Sequence, residues 1–426
     1  MYRKDMLVSF SVRNYRSFRD EATLDMRSSR GAAAGAVPWD GNLQPVAGIY
    51  GANASGKTTL FNAIRSMVDQ VRESYSAPRL LGEPFIFDNV SASKPTEFSA
   101  TFIATDGVCY AYGFGILNRT VANEWAERYT TARPTLLFER QGSTMKFGTA
   151  LKGSNRAVEK TLRFNALYLS AAAAAGHEGL APIYDWLTQQ LLTFPAGGHE
   201  ALLSQVILRL AAEPDRLNRL ADIMMRTDMG LSGFKLEQHT LSDGQRARVQ
   251  QATEAWRAIT GQSIAPDATG NSYEVFGLHQ ASGQTYQLPF NLESDGTRAM
   301  LSHAFVIDQA LRTGATIVFD EIDASLHPLL VRELVATFQD KELNPLQAQL
   351  IFTTHDVSLM EAGYGNGAQL GRDDIWLTDK DTEGRSTLQA MVDFSPRERE
   401  NLARRYMSGR FGGIPDNINL IDPVLV

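Results

Sequence analysis

Gly51-Ala52-Asn53-Ala54-Ser55-Gly56-Lys57-Thr58-Thr59 is a complete G-x-x-x-x-G-K-[ST] run, and its flanks give it context. Before it, Val46-Ala47-Gly48-Ile49-Tyr50 reads as a short buried strand. After it, Leu60, Phe61, Ile64, Met67 and Val68 recur at helical spacing. A loop in that position turns successive backbone N–H groups into one concavity that cradles phosphate oxygens. This requires residues that tolerate tight, partly left-handed turns. The positive end of the following helix then faces the anion. Gly51, Asn53, Ala54, Ser55, Gly56 and Thr59 are the cradle candidates. Lys57 reaches the terminal phosphates as a point charge, and the Thr58 hydroxyl is a ligand for Mg2+. The stretch is built to bind a nucleoside triphosphate.

Composition sets the outer bounds. A chain of 426 residues is long enough for two or three domains and a large core. Its 43% hydrophobic and 21% charged residues are ordinary for a globular protein. A net charge of −7 argues against a general nucleic-acid coat. The single cysteine, Cys109, excludes an internal disulfide framework and fits a reducing compartment. No apolar run is long enough to span a bilayer, and the start at Met1-Tyr2-Arg3-Lys4-Asp5 lacks a signal-peptide core. These features predict a soluble, cytoplasmic protein without a membrane partner.

Residues 6–27 alternate apolar and polar side chains and predict two antiparallel strands joined around Asn14-Tyr15-Arg16-Ser17-Phe18. Glu97 to Ile103 and Cys109 to Leu117 alternate around Asp106-Gly107, a hairpin signal, and Leu136–Arg140 with Thr144–Phe147 suggest another. The alanine tract Ala171 to Ala175 reads equally as a helix start or a close-packed loop. Ile183 to Leu192, Leu202 to Ala212 and Arg216 to Arg226 have helical periodicity, whereas Tyr273–Leu278 and Gln284–Leu288 predict a hairpin. No stretch sustains the heptads of a long coiled coil. The expected organisation is a β-rich part over 1–175, a mainly helical insertion over 176–272 and a closing part over 273–426.

The last part supplies chemistry. Thr316-Ile317-Val318-Phe319-Asp320-Glu321 is an apolar strand ending in two carboxylates, and ligands gather outside the carboxyl ends of buried parallel strands. Asp320 is placed to hold Mg2+ beside the phosphates, and Glu321 to polarise an attacking water. Gln349-Leu350-Ile351-Phe352-Thr353-Thr354-His355-Asp356 is a second buried strand, and it brings His355 toward the terminal phosphate.

These residues carry a resemblance. Asp320-Glu321-Ile322-Asp323-Ala324-Ser325-Leu326-His327-Pro328 resembles the Walker B and D-loop of ABC-type ATPases, and His355 matches their switch histidine. Glu293-Ser294-Asp295-Gly296-Thr297-Arg298 resembles the signature motif in its S-x-G form, with Ala299 to Leu311 as the helix after it. Leu241-Ser242-Asp243-Gly244-Gln245-Arg246 is closer in letters to the transporter version, but it lies far upstream inside the expected insertion. Val12-Arg13-Asn14-Tyr15-Arg16-Ser17-Phe18 resembles the N-terminal strand of the RecF and structural-maintenance-of-chromosomes branch. The whole chain is similar to bacterial RloA-like and abortive-infection ATPases. That likeness includes Ile375-Trp376-Leu377-Thr378, Asp393-Phe394-Ser395-Pro396-Arg397, Arg405-Tyr406 and Gly409-Arg410-Phe411-Gly412.

The resemblance implies an α/β fold, a P-loop NTPase of the ABC-type head class, with ATP and Mg2+ as cofactors. It further implies a head-to-tail homodimer with ATP at the interface. Ser294 and Gly296 of one subunit would meet the phosphate held by Lys57 of the other, with Asp323 at the interface and Arg16 among the nucleotide contacts. Higher assemblies remain open. No glutamine stands at the expected Q-loop, for which Leu169 to Ala175 is the neighbourhood. The family implies phage defence, with the ATPase as sensor or scaffold for a separately encoded effector. The seven histidines show no H-x-x-x-H or H-N-H spacing that would make this chain a nuclease. The alternative is a repair or chromosome-maintenance ATPase that clamps duplex DNA through Arg397, Arg399, Arg404, Arg405 and Arg410. A ring-forming AAA+ machine would leave Glu293–Arg298 without a role.

Overall fold

In a computed structural model, the run before the phosphate-binding loop is strand β3 (Val46–Tyr50), every residue of it buried, and Lys57–Glu73 is helix α1. The structure describes residues 5–28, 43–77, 80–198, 203, 206–207, 210, 213–226, 230–240, 271–324, 326–361, 370–395 and 401–413. They form two compact units. The first comprises Met1–Thr193, Ala310–Ile322 and Val331–Val426, and the second Phe194–Gln309 and Asp323–Leu330.

The first unit holds two sheets, with strands numbered in chain order. An antiparallel sheet joins β1 (Met6–Arg13), β2 (Ala22–Asp25), β4 (Thr96–Ile103), β5 (Cys109–Leu117), β6 (Thr120–Tyr129), β7 (Pro134–Gln141) and β8 (Thr144–Phe147) in the order β2-β1-β4-β5-β6-β7-β8. The other sheet joins β3 to β9 (Leu191–Phe194), β13 (Thr316–Phe319), β14 (Gln349–Thr353), β15 (Ile375–Lys380) and β16 (Ser386–Ala390). Its order is β16-β15-β3-β14-β13-β9, and β15, β3, β14 and β13 run parallel. Continuous apolar runs such as Thr316–Phe319 suit strands covered on both faces.

Helix α1 buries Leu60, Phe61, Ile64, Met67, Val68 and Val71 in a core shared with both sheets, including Phe98 and Phe114 from one and Val318, Ile351 and Trp376 from the other. A buried glutamine joins the sheets by hydrogen bonding. Gln349 accepts from Leu7 N at 2.6 Å and returns a bond to Leu7 O at 3.1 Å, as a neighbouring strand would.

The short helices α2 (Asn155–Thr161), α3 (Tyr168–Ala174) and α4 (Ala181–Asp185) follow the antiparallel sheet. The alanine tract is therefore helical. Ser170 in α3 donates to Val71 O at 2.6 Å and lies 2.8 Å from Ser74 Oγ. These partners sit at the far end of α1, roughly 20 Å of helix from Lys57. Leu169 to Ala175 is thus not a neighbour of the phosphate-binding loop, and the expected Q-loop position is corrected.

The second unit contains helix α5 (Pro214–Arg226) and the antiparallel sheet β10 (Gly233–Thr240), β11 (Asn271–Ala281) and β12 (Gln284–Pro289). Arg216 of α5 bonds Phe305 O at 3.1 Å and Asp308 at 2.7 Å, which fixes α5 to helix α6 (Asp295–Thr313). The stretch expected as a mainly helical insertion over 176–272 therefore also carries strands. The unit's limits, at 194–309 with 323–330, extend past the signature-like motif. Helices α7 (Pro328–Gln339) and α8 (Leu402–Met407) complete the described elements. The decoy Leu241–Arg246, Arg397 and Arg399 lie outside the described residues.

Candidate functional site

The loop between β3 and α1 has the backbone its composition requires. Gly51, Ala54 and Gly56 have φ of 157°, 63° and 129°. A side chain on Gly51 would meet Thr378 Oγ1 at 2.3 Å and Ser55 Oγ at 2.4 Å, so only glycine fits there. Lys57, 6% exposed, spans the loop from its last residue to its first, donating to Gly51 O at 2.7 Å and Ala52 O at 3.1 Å. Asn53, Ala54 and Thr58 are exposed, and Thr59 is half-buried.

Asp320 follows β13 and is brought to α1 by the sheet order, since β14 lies between β13 and β3. Thr58 donates to Asp320 Oδ1 at 3.3 Å, and Thr353, the last residue of β14, donates to the same oxygen at 2.7 Å. Thr353 Oγ1 in turn accepts the N–H of Glu321 at 2.7 Å. Glu321 has φ of 52°, a left-handed backbone that costs an L-residue roughly 1–2 kcal/mol. The exposed Thr58 hydroxyl and the buried Asp320 carboxylate, 3.3 Å apart, form a hard-oxygen pair that fits Mg2+. The ion keeps most of its waters and takes one or two protein ligands. Thr58 and Asp320 are the residues that would hold it, and the ion would neutralise phosphate charge. His355 follows β14 after one residue, Thr354, and is exposed.

A family model described as "AAA domain, putative AbiEii toxin, Type IV TA system" matches residues 46–145 and 203–361. The chain belongs to this family. Its fold is α/β, with the phosphate-binding loop between a strand of the mostly parallel sheet and helix α1. Among solved structures it is similar to an SMC head bound to the C-winged helix domain of ScpA, at 13% identity and a TM-score of 0.43, covering 90% of this chain and 97% of that one. It is similar also to the SMC head domain from Thermotoga maritima (12%, 0.38, covering 90% and 98%). The recombination mediator protein RecF-ATPrS of the RecFOR pathway gives 15% and 0.38, covering 92% and 100%. No curated protein sequence matches.

In this AAA-domain protein the predicted residues fall into two groups. The P-loop, Asp320, Glu321, His355 and Arg16 belong to the first unit, and Ser294, Gly296 and Asp323 to the second. Ser294 caps α6, where its hydroxyl accepts from Thr297 N at 3.1 Å. Ser294 is exposed, and Gly296 is half-buried. Asp323 is half-buried.

Arg16 sits in the turn between β1 and β2 with φ of 50°. Its guanidinium is held by both oxygens of Glu83, at 3.0 and 3.3 Å. Ser55 is buried, and its side chain is bonded to the neighbouring strand β15. Thr378 Oγ1 lies 3.2 Å from Tyr50 O and 2.6 Å from Ser55 Oγ. A carbonyl can only accept, so Thr378 donates to Tyr50 and Ser55 donates to Thr378. The Ser55 proton is thus committed to holding the loop.

Sequence reading missed Thr353, Thr378 and Ser386, hydroxyl residues in or ending strands of the parallel sheet. It also missed the C-terminal turn. Gly413 lies against Gly51, where a β-carbon on Gly413 would come within 3.5 Å of Gly51 Cα. Tyr406 of α8 donates to Gly413 O at 2.9 Å. Burial pushes the Tyr406 phenol up to about 12, so it remains a donor at neutral pH.

Proposed function

We propose that this protein is a Mg2+-dependent ATPase that works as a switch, with ATP binding closing two copies head to tail and hydrolysis releasing them. The observation that carries this reading is the bonded series Thr58–Asp320–Thr353–Glu321. It couples the residue that would share a metal with the phosphates to the backbone of the residue whose carboxylate is suited to water activation. Glu321 takes a proton from the attacking water, Lys57 and the loop amides balance charge on the phosphates, and His355 contacts the terminal phosphate. Ser294 and Gly296, at the start of α6, supply anion donors to the partner copy's nucleotide.

We further place the switch in bacterial defence against phage, controlling a separately encoded effector. The family's description, which names a toxin–antitoxin system, supports this reading. So does the lack of nuclease-like histidine spacing in the sequence.

The test is the solution mass of Glu321→Ala protein with and without Mg-ATP. The 46.9 kDa chain is expected to double in mass on adding Mg-ATP, and Ser294→Arg added to Glu321→Ala is expected to abolish the doubling. A mass indifferent to both nucleotide and Ser294 sinks the switch.

A further inference from the structure

Ser386 opens β16 at the edge of the parallel sheet, where it is buried against two segments far away in the chain. Its hydroxyl lies 2.6 Å from Ser55 O and 2.8 Å from Ser17 Oγ, and its N–H donates to Ser17 O at 2.7 Å. A hydroxyl has one proton, and the Ser55 carbonyl can only accept it. Ser386 is the donor in both contacts, so its one proton is shared between Ser55 O and Ser17 Oγ, with the shorter contact to the carbonyl. Ser386 thus ties both the Arg16–Ser17 turn and the phosphate-binding loop to the edge of the sheet.

The Ser55 carbonyl belongs to the peptide plane that links Ser55 to Gly56. That plane is rigid and trans, so fixing the oxygen fixes the direction of the Gly56 N–H on its opposite side. Gly56 is the glycine that directly precedes Lys57, and its amide is one of those a phosphate oxygen would meet. The fit is close. A β-carbon on Gly56 would lie 2.8 Å from Ser386 Oγ and 2.9 Å from Ser386 Cβ. The hairpin β15–β16 thus meets the loop at the Ser55 carbonyl and beside Gly56. Thr378 of β15 secures the Ser55 side chain from the same hairpin.

We propose that Ser386 is a positioning residue for nucleotide binding. Its hydroxyl aims the Gly56 amide, and its two bonds to Ser17 set the Arg16 turn at a fixed distance from the loop. The proposal rests on the triphosphate reading of that loop and adds to it a residue that touches no phosphate.

The experiment measures ATP affinity by calorimetry, kcat and KM, and the thermal midpoint for the full chain and its Ser386→Ala, Ser17→Ala and doubly substituted variants. Lys57→Ala serves as the control for the loop itself. Losing one well-made bond to the loop is worth about tenfold in affinity. Ser386→Ala is therefore expected to raise Kd and KM about tenfold, with kcat within about threefold and the thermal midpoint close to wild type. Ser17→Ala removes only the competing acceptor and leaves the bond to Ser55 O, so its affinity is expected within about threefold of wild type, and the double variant is no worse than Ser386→Ala. Wild-type affinity in Ser386→Ala overturns the proposal, as does a fall in kcat and stability with KM unchanged. If Ser386→Ala does not fold, Ser386→Cys, whose thiol is a much weaker donor, takes its place, and wild-type affinity there overturns the proposal. ATP binding that Lys57→Ala abolishes secures the loop reading separately. A wild-type chain that binds no ATP overturns the loop reading and Ser386's role with it.

Discussion

At the scale of the residue, the hydroxyl of Thr353 joins the Asp320 carboxylate to the backbone of Glu321, donating to the first and accepting from the N–H of the second. Replacing it with valine keeps the β-branched shape and removes only these bonds, so the strand should survive while Asp320 loses its orientation. Such supporting partners typically set metal affinity by 10–100-fold. Thr353→Val is expected to raise the Mg2+ concentration for half-maximal ATPase activity by about that factor. Added Mg2+ should recover most of the rate, and a magnesium titration at saturating ATP checks this. Lys57, Thr58, Asp320 and Glu321 were legible from the sequence because each lies in a contiguous run whose letters follow from its chemistry. Thr353, Thr378 and Ser386 were not. A hydroxyl in a strand has no period or spacing of its own, and what it touches is decided by sheet order. The committed proton of Ser55 was hidden for the same reason, since Thr378 reaches it only because β15 lies beside β3.

At the scale of the element, legibility followed the hydrophobic pattern and failed where a charge is buried. The hairpins β4–β5 and β7–β8 stand where alternation predicted them. Strand β6 between them was missed because Glu124 interrupts its apolar pattern. In the fold Glu124 is fully buried and accepts from Tyr112 Oη and from the amides of Tyr168 and Leu169 at the start of α3, with Arg140 3.6 Å away. A second buried carboxyl allows a test by pH. Asp374 precedes β15 and accepts from Gly371 N at 2.8 Å and from Gln339, the last residue of α7, at 3.4 Å. Burial raises its pKa from 3.8 to about 6, with the neighbouring Asp373 charge a lesser cause. Between those values the folded chain holds a proton that the unfolded chain has released. The stability from this group is therefore complete below about pH 4 and is lost as pH rises through about 6. The displacement corresponds to something on the order of 3 kcal/mol. Asp374→Asn lacks this component. Its unfolding free energy relative to wild type is expected to climb between pH 4 and 6 and level off above, as measured by urea denaturation across that range. A constant difference would show that Asp374 does not titrate with folding.

At the scale of the whole molecule, the candidate site is divided. The P-loop, Asp320 and Glu321 belong to one unit, and Ser294 and Gly296 to the other. The sequence placed these motifs in different parts of the chain but could not show which copy of the second unit serves a given P-loop. Complementation between defective chains answers this. Lys57→Ala disables a chain's own phosphate site and leaves its Ser294 intact. Ser294→Arg leaves Lys57 intact and spoils the donor that it lends. If each nucleotide is shared between two copies, a mixed dimer contains one site with both Lys57 and Ser294. Its other site carries both defects. Mixing the two inactive proteins in equal amounts is then expected to restore ATPase activity, because an undamaged site exists only in the mixed dimer. With random pairing, half the dimers are mixed and each has one competent site, so the recovered rate should approach one quarter of wild type. If both motifs served one nucleotide within the same chain, every site in the mixture would stay defective and no activity would return. Steady-state ATPase measured against mixing ratio separates the two arrangements. A maximum at equal amounts places Ser294 on the partner's nucleotide, and a flat line at the background rate places it within its own chain.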